Sequence, residues 1–240
     1  NLDAFDPLVV AAKEAGVKRF VYASSSSVYG VSEAKDVTED HPLVPLTLYN
    51  KYKGMCEPQL HRYTDDNFVG VIFRPATVCG LAPRPRMDLS VIILTNHAVT
   101  NGKIRVFGGS QLRPNLHIQD YCDLCTLLLE APAEKVQNEV FNCGYQNMSI
   151  MVIAILVKKV VEELLPESAP IEIATEPTDD IRSYHINSDK IRKALDFAPK
   201  HSIEEAIRDL TVAFRDGKLP DSMTDTKYYN VRTLKERGAT

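Results

Sequence analysis

The feature that most constrains the fold is a short apolar run that ends in four consecutive serines. The run, Phe20–Tyr22, follows a helical pattern over Pro7–Ala15 that Gly16 ends, and it leads into Ser24–Ser27. A continuous apolar run of this kind is typical of a buried strand in a parallel sheet. Open parallel sheets bind ligands at the carboxyl ends of their strands. The sequence therefore predicts an α/β fold with the serines at a ligand site.

A second helix and strand follow the first pair. Leu48–Tyr63 has a helical pattern in which Pro58 is expected to kink or shorten the helix, and Phe68–Phe73 is an apolar strand that closes at Pro75. The tail that begins at Leu219 is polar, and we expect it to wrap the surface or to be partly disordered.

The second predicted helix carries a candidate general base. Tyr49 and Lys53 are four residues apart, so on a helix their side chains lie on one face, one turn apart. Free tyrosine titrates near pH ~10, and a close positive charge favours the phenolate, so Lys53 can bring the pKa of Tyr49 towards the working pH. The run Ser24–Ser27 supplies a hydroxyl partner. Taken alone, this spacing also fits an ordinary surface helix.

Composition and charge exclude several classes of protein. The 240 residues are 44% hydrophobic and 25% charged, which is enough for a sizeable core. A net charge of −4 without a basic tract argues against a nucleic-acid partner. The longest apolar run, Ile150–Val157, is far shorter than the ~20 residues that cross a membrane.

The cysteines and histidines predict neither disulfides nor a metal site. There are five cysteines without a framework spacing and no signal peptide, so we expect a reducing, cytoplasmic location. Cys122 and Cys125 form a C-x-x-C within the amphipathic pattern Asp120–Glu130, where core packing is the favoured interpretation and redox or metal chemistry the alternative. The histidines have no ligand-like spacing.

Four motifs together resemble the extended short-chain dehydrogenase/reductase family, in particular its NAD-dependent nucleotide-sugar epimerases and dehydratases. In order along the chain they read SSSSVYG, YNKYK, RPATVCG and RPNLHIQD. The resemblance covers most of the chain and implies a Rossmann-type parallel sheet with a smaller α/β substrate-binding lobe. It assigns residues 1–80, with 113–145 returning to it, to the C-terminal half of the NAD domain, and residues 81–112 and 146–240 to the substrate lobe and tail.

The Gly-rich turn that binds a dinucleotide pyrophosphate does not occur in the sequence. The resemblance implies that this turn and the acidic ribose-binding residue lie before Asn1. We therefore expect the chain to be part of a longer protein. The polypeptide 1–240 by itself is expected to be inactive and to show no saturable NAD binding at micromolar concentrations.

The resemblance also assigns site residues. It implies that Tyr49 is the catalytic base, that Lys53 tunes Tyr49 and holds the nicotinamide ribose, and that Ser25 is their hydroxyl partner. Asn1 and Pro75 are implied to line the cofactor site together with Tyr49 and Lys53.

For the substrate, the resemblance implies contacts from Ser25, Ser26, Thr77, Arg113 and Arg182. Arg113 matches the arginine that grips the diphosphate of a nucleotide sugar, a task suited to a guanidinium group. Thr77 stands where many epimerases have asparagine, which leaves the sugar open. Arg182 is expected to compensate for an arginine that the family carries nearby.

Two further residues of the fourth motif have a structural interpretation. His117 and Asp120 resemble the histidine and aspartate of the family at this step. We expect them to orient the backbone and cap a helix.

The residues after Ser25 distinguish between the reactions of the family. Dehydratases carry Asp-Glu there to eliminate water, whereas this chain has Ser26-Ser27, so elimination lacks its acid and base. The resemblance therefore implies an NAD-dependent epimerase acting at C4 of a nucleotide-diphosphate sugar. The alternatives are a reductase or dehydrogenase that releases its product, and a catalytically inactive binding or interaction module.

The resemblance also implies a homodimer. The helices predicted at Pro7–Ala15 and Leu48–Tyr63 are expected to form a four-helix contact with a second copy.

Overall fold

The computed structural model describes residues 2–32, 34, 36–179 and 183–238. Asn1 and Arg182, two of the predicted binding residues, lie outside the described residues.

The first sheet has three parallel strands in the order β1 (Arg19–Ala23), β2 (Val69–Pro75) and β6 (Val140–Cys143), which confirms the predicted α/β fold. Alternate residues of its middle strand point to opposite faces: Ile72 packs with Phe5 and Leu60, whereas Val71 and Phe73 pack on the other side. Helices cover both faces, as a parallel sheet requires. The elements are α1 (Leu2–Glu14), β1 (Arg19–Ala23), α2 (Leu48–His61), β2 (Val69–Pro75), α4 (Ile118–Glu130), α5 (Ala133–Val136) and β6 (Val140–Cys143).

Helix α2 begins where the sequence predicts and ends slightly earlier. The side chain of Thr47 caps it by accepting a hydrogen bond from the backbone N–H of Asn50, at 3.2 Å. The helix runs through Pro58 to His61, so the predicted end at Tyr63 was two residues too far.

A second sheet follows β2 directly and brings two predicted binding residues together. Strand β3 (Thr77–Cys79) pairs in parallel with β5 (Leu112–His117), and β5 pairs antiparallel with β7 (Gln146–Ser149). Thr77 is the register partner of Asn115, so Thr77 and Arg113 lie on neighbouring strands. Neither β3 nor β7 was predicted.

A third, two-stranded parallel sheet packs against a separate group of helices. Along β4 (Lys103–Phe107), Ile104 and Val106 are buried, whereas Arg105 and Phe107 are exposed. The buried side chains join a core that the helices supply with apolar residues. The remaining elements here are α3 (Ser90–Asn101), α6 (Ile150–Leu164), β8 (Glu172–Glu176) and α8 (Ile203–Arg215). Helix α7 (Asp189–Leu195) instead packs against the first sheet, where Ile191 joins its core. The predicted division of the chain into two domains stays a prediction.

The tail differs from the expectation of a surface wrap or partial disorder. It forms a short 3₁₀ helix at Thr226–Tyr228 and then α9 (Asn230–Glu236). Tyr228 and Tyr229 are buried in the same core as α3 and α8. The backbone N–H of Met87 donates to the carbonyl of Tyr228 at 3.0 Å, which ties the tail to the loop before α3. This packing depends on contacts with residues that are distant in sequence, which a local sequence pattern cannot predict.

In the part of the chain that the structure describes, no helix combines the length and apolarity that crossing a membrane requires.

Candidate active site

A cavity of about 750 Å³ opens at the carboxyl ends of β1 and β2. Its volume is within the range usual for small-molecule sites, and its position is the one at which open parallel sheets bind ligands. Every predicted site residue that the structure describes lines it: Ser25, Ser26, Tyr49, Lys53, Pro75, Thr77 and Arg113.

Helix α2 presents Tyr49 and Lys53 to this cavity. Tyr49 is 58% exposed, so its phenol is accessible to a ligand. Lys53 Nζ lies 6.0 Å from the centre of the Tyr49 ring and 5.0 Å from that of Tyr22, and it donates a hydrogen bond of 2.6 Å to the carbonyl oxygen of Ala23. The lysine therefore joins α2 to the end of β1.

The electrostatics around Tyr49 differ from the sequence expectation. Although Tyr49 is partly exposed, the protein around its ring removes part of its hydration and so raises its pKa above the ordinary value, and the charge of Arg86 partly offsets this by lowering it. Burial also lowers the pKa of Lys53. The cation that lowers the pKa of Tyr49 is thus Arg86, whereas Lys53 was expected to do so, because the ammonium is directed towards the backbone of β1.

The serines form a short chain of hydrogen bonds. Ser25 Oγ accepts from the backbone N–H of Ser27 at 3.2 Å and lies 2.7 Å from Ser27 Oγ. Ser27 Oγ donates its only proton to Asn50 Oδ1 at 2.8 Å, so Ser25 is the donor between the two hydroxyls. To donate to a substrate oxygen, the Ser25 hydroxyl has to rotate away from Ser27.

The backbone close to the cavity requires glycine at one position. Gly30 has a φ of 70°, and a Cβ at this position would lie 2.0 Å from the carbonyl oxygen of Val44. A side chain would therefore push the loop away. Gly30, Leu46 and Thr47 line the cavity, so both ends of the loop contribute to its wall.

Arg113 links the cavity to a second one. Its guanidinium lies 5.2 Å from the centre of the Tyr184 ring, and Nη1 donates to the carbonyl of Leu112 at 2.9 Å. The second cavity has a volume of about 390 Å³ and shares Thr77, Leu89, Arg113 and Tyr184 with the first. An elongated ligand can therefore extend past Arg113 into both.

Several lining residues were missed by sequence reasoning. Asn50 is adjacent to Tyr49 in the motif and could have been found from its place in the first turn of α2. Arg86, Tyr184 and Val231 come from segments without a recognisable motif, and only the fold brings them to the cavity.

His117 and Asp120 have the structural roles expected of them. His117 precedes α4, and its Nδ1 accepts a hydrogen bond of 3.1 Å from the backbone N–H of Gln119. Asp120 is buried and accepts from the backbone N–H groups of Lys200 and His201, at 2.9 and 3.0 Å. Neither residue lines the two cavities that contain Arg113.

Comparison with known proteins identifies the family. Residues 1–144 match the model of the NAD dependent epimerase/dehydratase family. The chain belongs to this family. Family membership confirms the resemblance described above, and with it NAD as the cofactor of the family.

The relatives of this chain include both epimerases and dehydratases. The chain is 26% identical to a UDP-glucose 4-epimerase of Azospirillum brasilense over 81% of this chain and 60% of that protein. It is 31% identical to a dTDP-D-glucose 4,6-dehydratase of Mus musculus over 84% of this chain and 57% of the relative. The chain thus spans about 60% of the length of these two curated relatives.

The fold is also that of solved family members. A UDP-glucuronic acid 4-epimerase from Bacillus cereus, in complex with UDP-glucuronic acid and NAD, superimposes with a TM-score of 0.76 at 22% identity. The match covers 90% of this chain and 67% of that protein. At this identity the similarity confirms the Rossmann-like fold.

Proposed function

We propose that the protein is an NAD-dependent nucleotide-sugar epimerase that acts at C4 of the sugar. The observation that carries this proposal is one cavity that contains Ser25, Tyr49 and Lys53 and continues past Arg113 into a second cavity. A sugar in the first cavity would meet the phenol, and its diphosphate would lie beside the guanidinium. Oxidation of a sugar hydroxyl needs a base such as the phenol, and binding of the charged diphosphate needs a cation such as the guanidinium.

The residues of the first cavity have distinct tasks in this proposal. Tyr49 takes the proton of the sugar hydroxyl and returns it at the end of the cycle. Ser25, once rotated away from Ser27, donates a hydrogen bond to the same oxygen. Arg86 provides positive charge that stabilises the Tyr49 phenolate when the proton has moved. Lys53, which donates to the carbonyl of Ala23, would hold the nicotinamide ribose.

The cofactor site fits NAD at the nicotinamide end. Pro75 and Lys53 border the first cavity at the strand ends, and Ser24 Oγ is buried there without a hydrogen-bond partner among the described residues. An unpaired hydroxyl of this kind is what a polar ligand group would satisfy. NAD, when bound, accepts a hydride from the sugar carbon and returns it. Tyr49, Lys53 and Pro75 are the described residues that would hold it, together with Asn1.

The serines favour epimerisation over elimination of water. Ser26 is buried, and Ser27 donates its proton to Asn50. Neither hydroxyl can replace the acid and base that dehydratases place after the catalytic serine. A single base is enough for oxidation and re-reduction of one carbon, which is the reaction of an epimerase.

A panel of nucleotide sugars tests the proposed function. Because residues 1–240 alone are expected not to bind NAD, the full-length protein would be loaded with NAD and incubated with UDP-, dTDP-, GDP- and CDP-sugars. The products would be separated by chromatography while the absorbance of NADH is followed. The same full-length, NAD-loaded protein is used in the other measurements. Conversion to the C4 epimer without net NADH supports the proposal. Stoichiometric NADH or keto-sugar release would instead identify a dehydrogenase, and the absence of both would indicate a binding module.

The first prediction concerns the diphosphate. Arg113→Ala is expected to weaken binding of a nucleotide sugar by ~1.5–3 kcal/mol, because a charge-assisted contact is lost. Isothermal titration calorimetry of the NAD-loaded protein measures this. Arg215→Ala, which removes the same charge from an exposed residue paired with Asp216, is the control. Equal affinities of the two variants would contradict the role of Arg113.

A homodimer and a cytoplasmic location belong to the same proposal. Leu48, Tyr52 and Met55 are exposed apolar side chains at helical spacing on α2, and Leu8 is exposed on α1, which packs against α2. A second copy that covers this stripe would form the expected four-helix contact. The five cysteines are free thiols, as in a reducing compartment.

The dimer is tested by placing a charge in this stripe. Met55→Glu is expected to convert a dimer into a monomer, because an unpaired carboxylate would be buried in the contact. Sedimentation equilibrium gives the mass. Leu129→Glu, which alters an exposed leucine of α4, should stay dimeric. A monomeric wild type, or a dimeric Met55→Glu variant, would refute the proposed contact.

A further inference from the structure

Lys53 has two contacts with one aromatic residue of β1. Its Nζ lies 5.0 Å from the centre of the Tyr22 ring, which is closer than the 6.0 Å that separate it from the centre of the Tyr49 ring. The hydroxyl of Tyr22 donates a hydrogen bond of 3.2 Å to the backbone carbonyl of Lys53. Tyr22 therefore contacts this lysine both at its backbone and at its ammonium group.

Tyr22 is not part of the cavity wall. The residues that line the two cavities containing Arg113 do not include it, so it can act on a ligand only through a neighbour. The ring of Phe5 packs against the ring of Tyr22 with 4.7 Å between their centres, and Phe5 is buried in the core beside α1 and α2. This packing fixes the position of the Tyr22 ring.

The ammonium of Lys53 benefits from such a ring because it is partly removed from water. Burial disfavours the charged form and lowers the pKa of Lys53. Among the described residues, the carbonyl of Ala23 accepts one of its three N–H donors, at 2.6 Å. The negative face of an aromatic ring replaces part of the lost hydration without occupying a further donor.

We propose that Tyr22 is a positioning residue, which holds the ammonium of Lys53 so that its two remaining N–H donors face the nicotinamide ribose of NAD. The proposal rests on the proposed function, in which Lys53 lines the first cavity and holds that ribose. Without the ring, the long side chain of Lys53 would have to give up more rotamer freedom when NAD binds. The affinity for NAD would then fall.

The test changes the charge distribution of the ring and keeps its shape. Full-length protein with phenylalanine or trifluorophenylalanine at position 22 would be freed of NAD and titrated with NAD by calorimetry. Both side chains lack the hydroxyl, and fluorine withdraws the negative charge from the ring face. We expect the trifluoro variant to bind NAD about five- to thirtyfold more weakly than Tyr22→Phe, which corresponds to the loss of a partly desolvated cation–π contact.

Phe20 is the matched control on the same strand. Its ring packs against those of Phe5 and Phe68, with 6.1 Å between the centres in both cases. The cation–π contacts of the described residues do not involve Phe20. Trifluorophenylalanine at position 20 should therefore leave the affinity for NAD unchanged. ADP, which lacks the nicotinamide ribose, should bind all these variants as it binds the wild type, which also shows that they are folded.

A second pair of variants tests whether Tyr22 acts through Lys53. Lys53→Met removes the ammonium and should weaken NAD binding about tenfold or more, because charge-assisted hydrogen bonds to the ribose are lost. In this background, phenylalanine and trifluorophenylalanine at position 22 should give equal affinities, since the ring has no cation left to hold.

The outcomes separate the role of Tyr22 from that of Lys53. Equal NAD affinities of the phenylalanine and trifluorophenylalanine variants, with Lys53 present, would overturn the role of Tyr22. A difference that persists in Lys53→Met would overturn it too, because the ring would then act by another route. If Lys53→Met binds NAD as tightly as the wild type, Lys53 does not hold the ribose and that part of the proposed function is wrong. If Lys53→Met loses affinity and fluorination has no effect, only the role of Tyr22 fails.

Discussion

A Tyr49→Phe variant is expected to bind a nucleotide sugar within a few-fold of the wild type and to turn over about 10²–10⁴ times more slowly, the effect of a lost general base. The substitution removes one oxygen from an exposed side chain of α2, so the fold and the cavity are preserved. Turnover would be measured with the substrate found in the nucleotide-sugar panel, and affinity by calorimetry. Turnover at the wild-type rate would remove the proposed mechanism.

Tyr52→Phe is the matched control for this prediction. Tyr52 is on the same helix and is also partly exposed, but it lines neither of the cavities that contain Arg113. Its loss of a hydroxyl should leave kcat unchanged. An equal loss of activity in both variants would indicate damage to α2 and not the loss of a base.

The pH profile provides a second readout of the same prediction. A base acts in its deprotonated form, so turnover should rise with pH through the pKa of Tyr49. Burial raises this pKa and Arg86 lowers it, so Arg86→Met should move the rising limb to higher pH. At any pH below this pKa the variant should then be slower than the wild type, and the difference should disappear in alkaline buffer. In Tyr49→Phe the limb should be absent.

Local patterns predicted much of the fold. The strand Val140–Cys143 is a short, mostly apolar run, and the helix Asp189–Leu195 ends at Asp196, which has a left-handed backbone conformation. The capping box of Ser202 and Glu205 is present, with both reciprocal hydrogen bonds, at the start of α8. The residues that begin and end such elements lie within a few positions of them in the sequence.

Other elements depend on partners that are distant in sequence. The tail has no strong periodicity, yet Tyr228 and Tyr229 are buried because the loop before α3 and the core beside it accept them. Strand β3 has only three residues and exists because β5 pairs with it. A polar stretch or a very short strand cannot be distinguished from a loop until its neighbour is known.

The site shows the same limit. The motifs predicted that Ser25, Tyr49, Pro75 and Arg113 belong to one site, and all four line one cavity. The first three lie where a strand of the first sheet ends or α2 begins, whereas Arg113 lies at the start of β5. The motifs did not predict which cation acts on Tyr49. Arg86 is 37 residues further along the chain by number, in a Pro- and Arg-rich loop, and only the fold places its charge near the phenol.

The largest effect on stability is expected at a buried ion pair whose two residues are 17 positions apart in sequence. Arg74 Nε and Nη2 donate to the two carboxylate oxygens of Glu57 at 3.0 and 2.6 Å, and the side chains are only 6% and 5% exposed. Arg74 also donates to Tyr29 Oη at 2.7 Å. The pair connects α2, which bears Tyr49, to the strand that ends at Pro75.

Glu57→Gln is expected to lower the free energy of unfolding by ~3–5 kcal/mol, because it leaves the guanidinium of Arg74 buried without its counter-charge. Denaturant unfolding of the NAD-loaded protein, followed by circular dichroism, measures this. The double variant Arg74→Met/Glu57→Met should be less destabilised than Glu57→Gln, since no unpaired charge remains.

The chain offers a matched pair at the surface. Arg208 donates to both carboxylate oxygens of Glu163 at 2.9 and 2.8 Å, but the side chains are 34% and 51% exposed. Glu163→Gln should cost no more than ~1 kcal/mol, because water solvates the arginine that is left. Since the two pairs share the same bidentate geometry, a difference between Glu163→Gln and Glu57→Gln isolates the effect of burial. Equal losses of stability would show that the Arg74–Glu57 pair does not anchor α2 to β2 through buried charge.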